Sequence, residues 1–397
     1  MSNISLRNRK TICSVFGVIF FCAFGANAEV SLPAPDNAAL LYYQAFLLRP
    51  EMDDDTFISF NNVLDGDDPN EKVRKYLNLP DSREAIRLAE AATQILDCSW
   101  GITRPQGYDT LLSQARQLTF FLEVDARALA FDEEYRTALE RCLSIRRFAR
   151  HLNDDGFIGY AVSVPIDSRA LRCIHYILGS MSPDRDTLIW LQSQVSNVQG
   201  APPPPGRAYE IDLNDNLQLL SENPEFFETW RQYISENIED ESSRREILSL
   251  NDEEVIEKVK ESYNKYLSSV NRVIASDIPY QQKYLELKEL EEEIKNHPFV
   301  NPFSYLWVSF PRNVAEQHGI YIGAITTFNA TRAAIEIYLV KEQTGQLPEM
   351  LPANLPKDPF SGQDFGYNVT EEGFSISFDP ENLRDLRVRQ FEFIVAK

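Results

Sequence analysis

The chain has 397 residues, with 60 Asp and Glu against 39 Lys and Arg, giving a formal net charge of −21 at neutral pH. A surface of that sign repels nucleic-acid phosphates and anionic membrane headgroups, so neither is expected as a partner held by charge. The length allows one large domain or two or three modules, with a sizeable core in either case.

Arg7, Arg9 and Lys10 precede an apolar run over residues 12–24, and Ala26-Asn27-Ala28 follow, the basic, apolar and small-residue order of a cleaved signal peptide. Cleavage before Glu29 predicts an extracytoplasmic protein, periplasmic or secreted, with 369 residues and a net charge of −24 once the three basic residues are lost. The apolar run is shorter than the roughly 20 residues of a membrane span, so no stable span is expected after cleavage.

Pro33 and Pro35 lead into a helix predicted from about residue 37 to 48. The acids at Asp53-Asp54-Asp55 and Asp65-Gly66-Asp67-Asp68 lack the ligand spacing of a calcium hand and are expected to be solvated loops. A helix over residues 82–96 is expected next, with Ile86, Leu88, Ala89, Ala92 and Ile95 on its buried side.

Residues 108–178 carry the strongest pattern, three apolar-striped helices separated by turn signals. In the first, Leu111, Ala115, Leu118, Leu122 and Leu129 recur at helical spacing, and Phe121, Val124 and Ala128 widen the stripe. In the second, Tyr135, Ala138, Cys142, Ile145, Ala149 and Leu152 face one way, and Asn153 to Gly156 end the helix. The third contains Pro165, which predicts a kink near Val162. Ser182 is the expected cap of a fourth helix.

Cys98, Cys142 and Cys173 are the cysteines of the mature chain. A hairpin turning about Asp155 sets Cys142 level with Ser168 and carries Cys173 past the roughly 7 Å Cα separation a disulfide allows, so free, buried thiols are expected.

The prolines at 202–205 divide this region from further helices predicted over residues 207–220 and 224–237. Asn251 and Glu254 make a capping pair ahead of an apolar stripe from Ile256 to Ile274, and a second stripe follows Pro279. Glu289, Glu291, Glu292 and Glu293 are expected on a solvated face. A long helix over residues 312–344 ends at Gly345, and residues 365–369, 374–378 and 388–395 are expected to form a small antiparallel sheet. The predicted fold is therefore mainly α, an irregular bundle or solenoid of antiparallel helical hairpins with a small C-terminal antiparallel sheet. The expected divisions are a signal peptide at 1–28, a helical hairpin domain at 29–200, a second helical region at 201–311, and the long helix with its sheet at 312–397.

The Cys98-Ser99-Trp100-Gly101 turn, the long hairpin and the segment from Leu143 to Leu152 resemble a family of uncharacterised secreted helical proteins of planctomycete-type bacteria. Leu347-Pro348, residues 355–360, Gly362 and Tyr367 are similar to the tail of type II secretion pseudopilins, in which a long helix also feeds a small sheet. The first resemblance implies no reaction. The second does not imply pilus assembly, because the methylation signal and membrane helix of pseudopilins are missing.

No catalytic residue, metal site or cofactor motif is expected from the sequence. His175 lies two residues from Cys173 on one helix, where side chains diverge, so it is expected to be a packed structural histidine; His151 ends an arginine-rich helix, and His297 and His318 join no cluster with metal spacing. Arg141, Arg146, Arg147 and Arg150 make the one basic group on an acidic protein, and are the candidate binding residues unless they pair with acids on neighbouring helices. The expected function is a non-catalytic scaffold or binding protein for a protein or polymer of the cell envelope. The alternative is a secreted hydrolase whose site assembles only in three dimensions.

Overall fold

A computed structural model of the chain describes residues 36–101, 108–153, 156–182, 184–195, 203–222, 225–297, 299–300, 313–378 and 390–394. The expected signal peptide lies outside the described residues. Residues Asn37–Lys397 form one compact unit, mainly helical, with fourteen helices and a three-stranded sheet among the described residues.

Helix α1 (Ala38–Leu48) starts at Asn37, whose side chain accepts from the amide of Ala39. The expected acidic loops are instead the ends of helix α2 (Asp54–Asp65), followed by a short α3 (Glu71–Leu77). Asp53 caps α2 by accepting from the Thr56 amide at 2.7 Å, Asp54 and Asp55 sit in its first turn, and Gly66 closes it at φ 111°. Negative charge at a helix start complements the exposed amides there, so these acids favour the helix. Helix α4 (Pro80–Ala92) packs on α1. Trp100, from the turn that follows, inserts among Tyr42, Tyr43, Phe46 and Phe148, and its Nε1 donates to the His151 carbonyl, 2.9 Å away.

Helices α5 (Tyr108–Phe131), α6 (Tyr135–Asn153) and α7 (Gly156–Ser180) pack on one another as expected. Arg146 meets Asp167 and Cys142 meets Cys173, so α6 and α7 run antiparallel. The level of contact differs from expectation. Side chains lean toward the start of their own helix, so those of α6 lean away from the turn and those of α7 toward it. Cys173 thereby reaches Cys142 from further along α7. The two thiols are neighbours, fully buried and free of a disulfide. Helix α7 is continuous through Pro165, which lies exposed, and Ser163 Oγ donates to the Tyr160 carbonyl at 2.9 Å just before it. Helix α8 (Arg185–Ser193) is capped by Asp184 and not by Ser182: the Asp184 carboxylate accepts from the amides of Asp186 and Thr187.

The second helical region comprises α9 (Gly206–Glu222), α10 (Glu225–Asn237), α11 (Glu241–Leu248), α12 (Asp252–Ala275) and α13 (Tyr280–Lys295). Its apolar residues, Tyr209, Trp230, Tyr263 and Leu287 among them, form a cluster of their own that also takes in Val314 and Ala315. The capping box at Asn251 and Glu254 is present, with hydrogen bonds of 3.0 and 2.8 Å in the two directions.

Helix α14 (Val314–Thr344) spans about 46 Å at 1.5 Å per residue and ends at Gly345, φ 75°. Asn313 at its start makes no side-chain cap. Glu291 of α13 does so instead, accepting from the Ala315 amide at 2.7 Å and from Lys288 at 3.0 Å. Glu291 is therefore fully buried and not on the solvated face where sequence placed it. An acid in such a run is exposed unless an orphan helix start lies within reach.

Strands β1 (Gly366–Val369), β2 (Gly373–Ser377) and β3 (Gln390–Ile394) make an antiparallel sheet in the order β1-β2-β3. The sheet packs on the helices: Phe374, Ile376, Phe391 and Phe393 share one apolar cluster with Leu171, Ile174 and Tyr338. His175 marks the join. Its Nε2 and Thr331 Oγ1 are 2.6 Å apart, and Thr331 gives its own proton to the Thr327 carbonyl, so the imidazole is the donor. Its ring lies against Phe391 and Phe393, and burial holds its pKa down to about 3. His175 is the packed structural histidine expected.

Candidate functional site

Arg141, Arg146, Arg147 and Arg150 do not make one exposed patch. Arg141 is buried and pairs with Asp125 at 2.8 Å and with Glu90, and Arg146 is buried and pairs with Asp167 at 2.8 Å. Arg147 and Arg150 are half-buried. The guanidinium groups of Arg141 and Arg146 meet carboxylates of α4, α5 and α7. Two of the four candidates thus neutralise internal acids.

A cleft lies elsewhere, between α11, α12 and α13, with a volume of about 500 Å3. Each wall is one face of a helix. Ser243, Glu246, Ile247 and Leu250 come from α11 and the residues just after it. Lys258, Glu261, Ser262, Lys265, Tyr266 and Ser269 come from α12, at the three- and four-residue spacings that stack residues along one side of a helix. Leu290, Glu293, Ile294 and His297 come from α13 and its end, and Phe299 closes the floor. Helix α12 thus has two working faces: Val259, Tyr263, Leu267 and Val270 fill the core, and the mixed face lines the cleft. Helix α11 has no fully buried residue, and Ile247 and Leu250 remain half-covered on the cleft side.

His297 stands at the inner end. Ser262 Oγ is 3.5 Å from its Nε2, and its Nδ1 is buried without a hydrogen-bond partner. Burial lowers its pKa first, and Lys265 lowers it further, by more than Glu293 raises it. Lys258 is paired with Glu261 at 3.0 Å, whereas Lys265 makes no ion pair among the described residues. Glu246, Glu261 and Glu293 are exposed at the rim.

A serine beside a histidine invites comparison with nucleophilic catalysis. A serine nucleophile needs its proton directed at the base, and the base needs a third group to orient it. Ser262 Oγ instead donates to the Lys258 carbonyl at 2.7 Å, and Nδ1 of His297 has no hydrogen-bond partner to orient the ring. What the arrangement offers is an apolar floor with an unspent ammonium and an imidazole at one end. No group of three or more potential metal ligands occurs among the described residues, and no described helix is long and apolar enough to cross a membrane.

Sequence reading found His297 in no cluster with metal spacing and did not single out Ser262 or Lys265. The available signal was the second face of α12, where serines at 262 and 269 flank Lys265.

Fold and cleft together define a mainly α protein with an amphipathic cleft between three helices. No protein-family profile, curated protein or solved structure matches the chain.

Proposed function

We propose that this chain is an extracytoplasmic binding protein that holds a small amphipathic anion in the cleft between α11, α12 and α13. The observation that carries the reading is the exposed Lys265, which makes no ion pair among the described residues, beside the buried, unpartnered Nδ1 of His297 in a cleft also lined by Leu290, Ile294 and Phe299. A buried polar atom without a partner is costly, and a ligand group that pairs with it relieves it; the ammonium of Lys265 is what favours an anion. The volume of about 500 Å3 lies within the range of small-molecule sites and suits a compact ligand better than a long polymer. Half-covered Ile247 and Leu250 gain burial when the apolar part of such a ligand lies between the walls. Export rests on the basic, apolar and small-residue order of residues 1–28. Membership of the secreted helical family resembled by residues 98–101 and 143–152 is part of the same reading and brings no activity with it.

The test uses the fluorescent anion 1-anilinonaphthalene-8-sulfonate on the mature chain, displaced by dodecanoate or by dodecyltrimethylammonium. Dodecanoate is expected to displace the dye, the cationic amphiphile is not, and K265Q should weaken dodecanoate by about tenfold, the loss of one charged hydrogen bond. Equal displacement by the two amphiphiles would overturn the reading.

A further inference from the structure

A second cleft, of about 320 Å3, lies between α8, α14 and the segment leading to the sheet. Ile189, Gln192 and Ser193 line it from α8, Arg332, Ile335 and Glu336 from α14, and Asn354, Leu355 and Pro356 from the segment. Asn354 takes a left-handed φ of 67°, and the turn there brings Leu355 and Pro356 across from α14. Asparagine tolerates that conformation better than most residues with a Cβ.

Arg332 and Glu336 are one helical turn apart, with about 5 to 6 Å between their Cβ atoms, close enough to pair. They do not. Arg332 lies over the Phe328 ring, 5.9 Å from its centroid, and forms no hydrogen bond or ion pair among the described residues. Glu336 accepts from the Gln192 amide on one oxygen, Oε1. The cleft therefore presents a cation with all its donors unspent beside an anion with one oxygen unspent, in a chain where acids outnumber bases 60 to 39. A simple anion would meet Glu336 and a simple cation would meet Arg332. Only a ligand bearing both charges close together satisfies the two at once.

From this geometry we infer a binding site for a free α-amino acid with an apolar side chain. Its carboxylate takes the fork of Arg332, which matches a planar two-oxygen acceptor. Its ammonium takes the free oxygen of Glu336, and its side chain lies on Ile189, Ile335, Leu355 and Pro356. The volume stands at the lower end of the small-ligand range, which suits a single amino acid. The site is separate from the cleft beside α12, and neither reading depends on the other.

Calorimetric titration of the mature chain with L-leucine, L-leucinamide and N-acetyl-L-leucine tests it. Leucinamide lacks the carboxylate and N-acetyl-leucine lacks the ammonium, so each should bind at least about tenfold more weakly than leucine. R332Q should weaken leucine by a similar factor while leaving the response to leucinamide unchanged, and E336Q should do the same with respect to N-acetyl-leucine. Binding of leucinamide or N-acetyl-leucine within about threefold of leucine, or no heat from leucine up to about 10 mM, would overturn the inference. The comparison among ligands on the unmodified chain holds even where a variant folds poorly.

Discussion

Replacing Arg146 by Met separates an internal ion pair from a surface charge. Arg146 is fully buried, and its Nε donates to Asp167 Oδ1 at 2.8 Å while a second contact reaches Oδ2 at 3.4 Å. Asp167 is itself 4% exposed, so removing the guanidinium leaves a carboxylate that water cannot reach. Breaking a buried pair from one side costs about 3 to 5 kcal/mol, whereas an exposed pair is worth less than about 1 kcal/mol. R146M and D167L should each lose about 3 to 5 kcal/mol, and the double variant should lose clearly less than their sum, since neither charge is then stranded. Urea unfolding followed by circular dichroism measures all three. A cost for R146M below about 1 kcal/mol, or additive losses in the double variant, would refute the internal pairing and restore Arg146 to the surface.

Two further outcomes concern protons and thiols. His318 is 1% exposed, stacks on Tyr280 at 5.8 Å, and is held down to a pKa of about 4 by burial and then by Lys283. Because the folded value is depressed, the unfolded chain takes the proton first: its contribution is whole above about pH 6.5 and is lost as the pH falls toward 4. At about 1.4 kcal/mol per unit this amounts to about 3 kcal/mol, so H318F should flatten the fall in urea stability between pH 6.5 and 4, and an unchanged slope would contradict the assignment. Burial raises the Cys142 thiol well above its ordinary value, and its partner Cys173 is equally buried, while Cys98 is half-exposed. In a chain of residues 29–397, a disulfide reagent should therefore label Cys98 alone in the native state and the other two only in urea; rapid native labelling of Cys142 would count against the packing of α6 on α7.

The hairpin of α6 and α7, the capping box at Asn251, the long α14 and all three strands were legible because each pairs a regular apolar period with a clear stop. Helices α2 and α11 were not. Phe57 and Ile58 of α2 are exposed and α11 buries nothing, so neither shows the one-sided stripe that marks a packed helix. Glu291 was misplaced because its use as a cap depends on the start of α14, 24 residues away. The clefts were hidden for the same reason. His297, Lys265 and Ile247 come from three helices, and Arg332 and Asn354 from a helix and a turn, so no local spacing joins them. The arginines of α6 were visible as a group, but only the acids facing them decide which are internal.

The bond from Glu291 to the Ala315 amide bears on how this chain can be divided. A cut at residue 312 looks natural from sequence, with a helix and its sheet on one side. Such a fragment would begin with an amide that has lost its acceptor, and with Val314 and Ala315 lifted out of the apolar cluster that houses them. The tail is thus not an appendage to be grafted or deleted. Its longest helix is rooted in the region before it, and shuffling at that boundary would break both pieces.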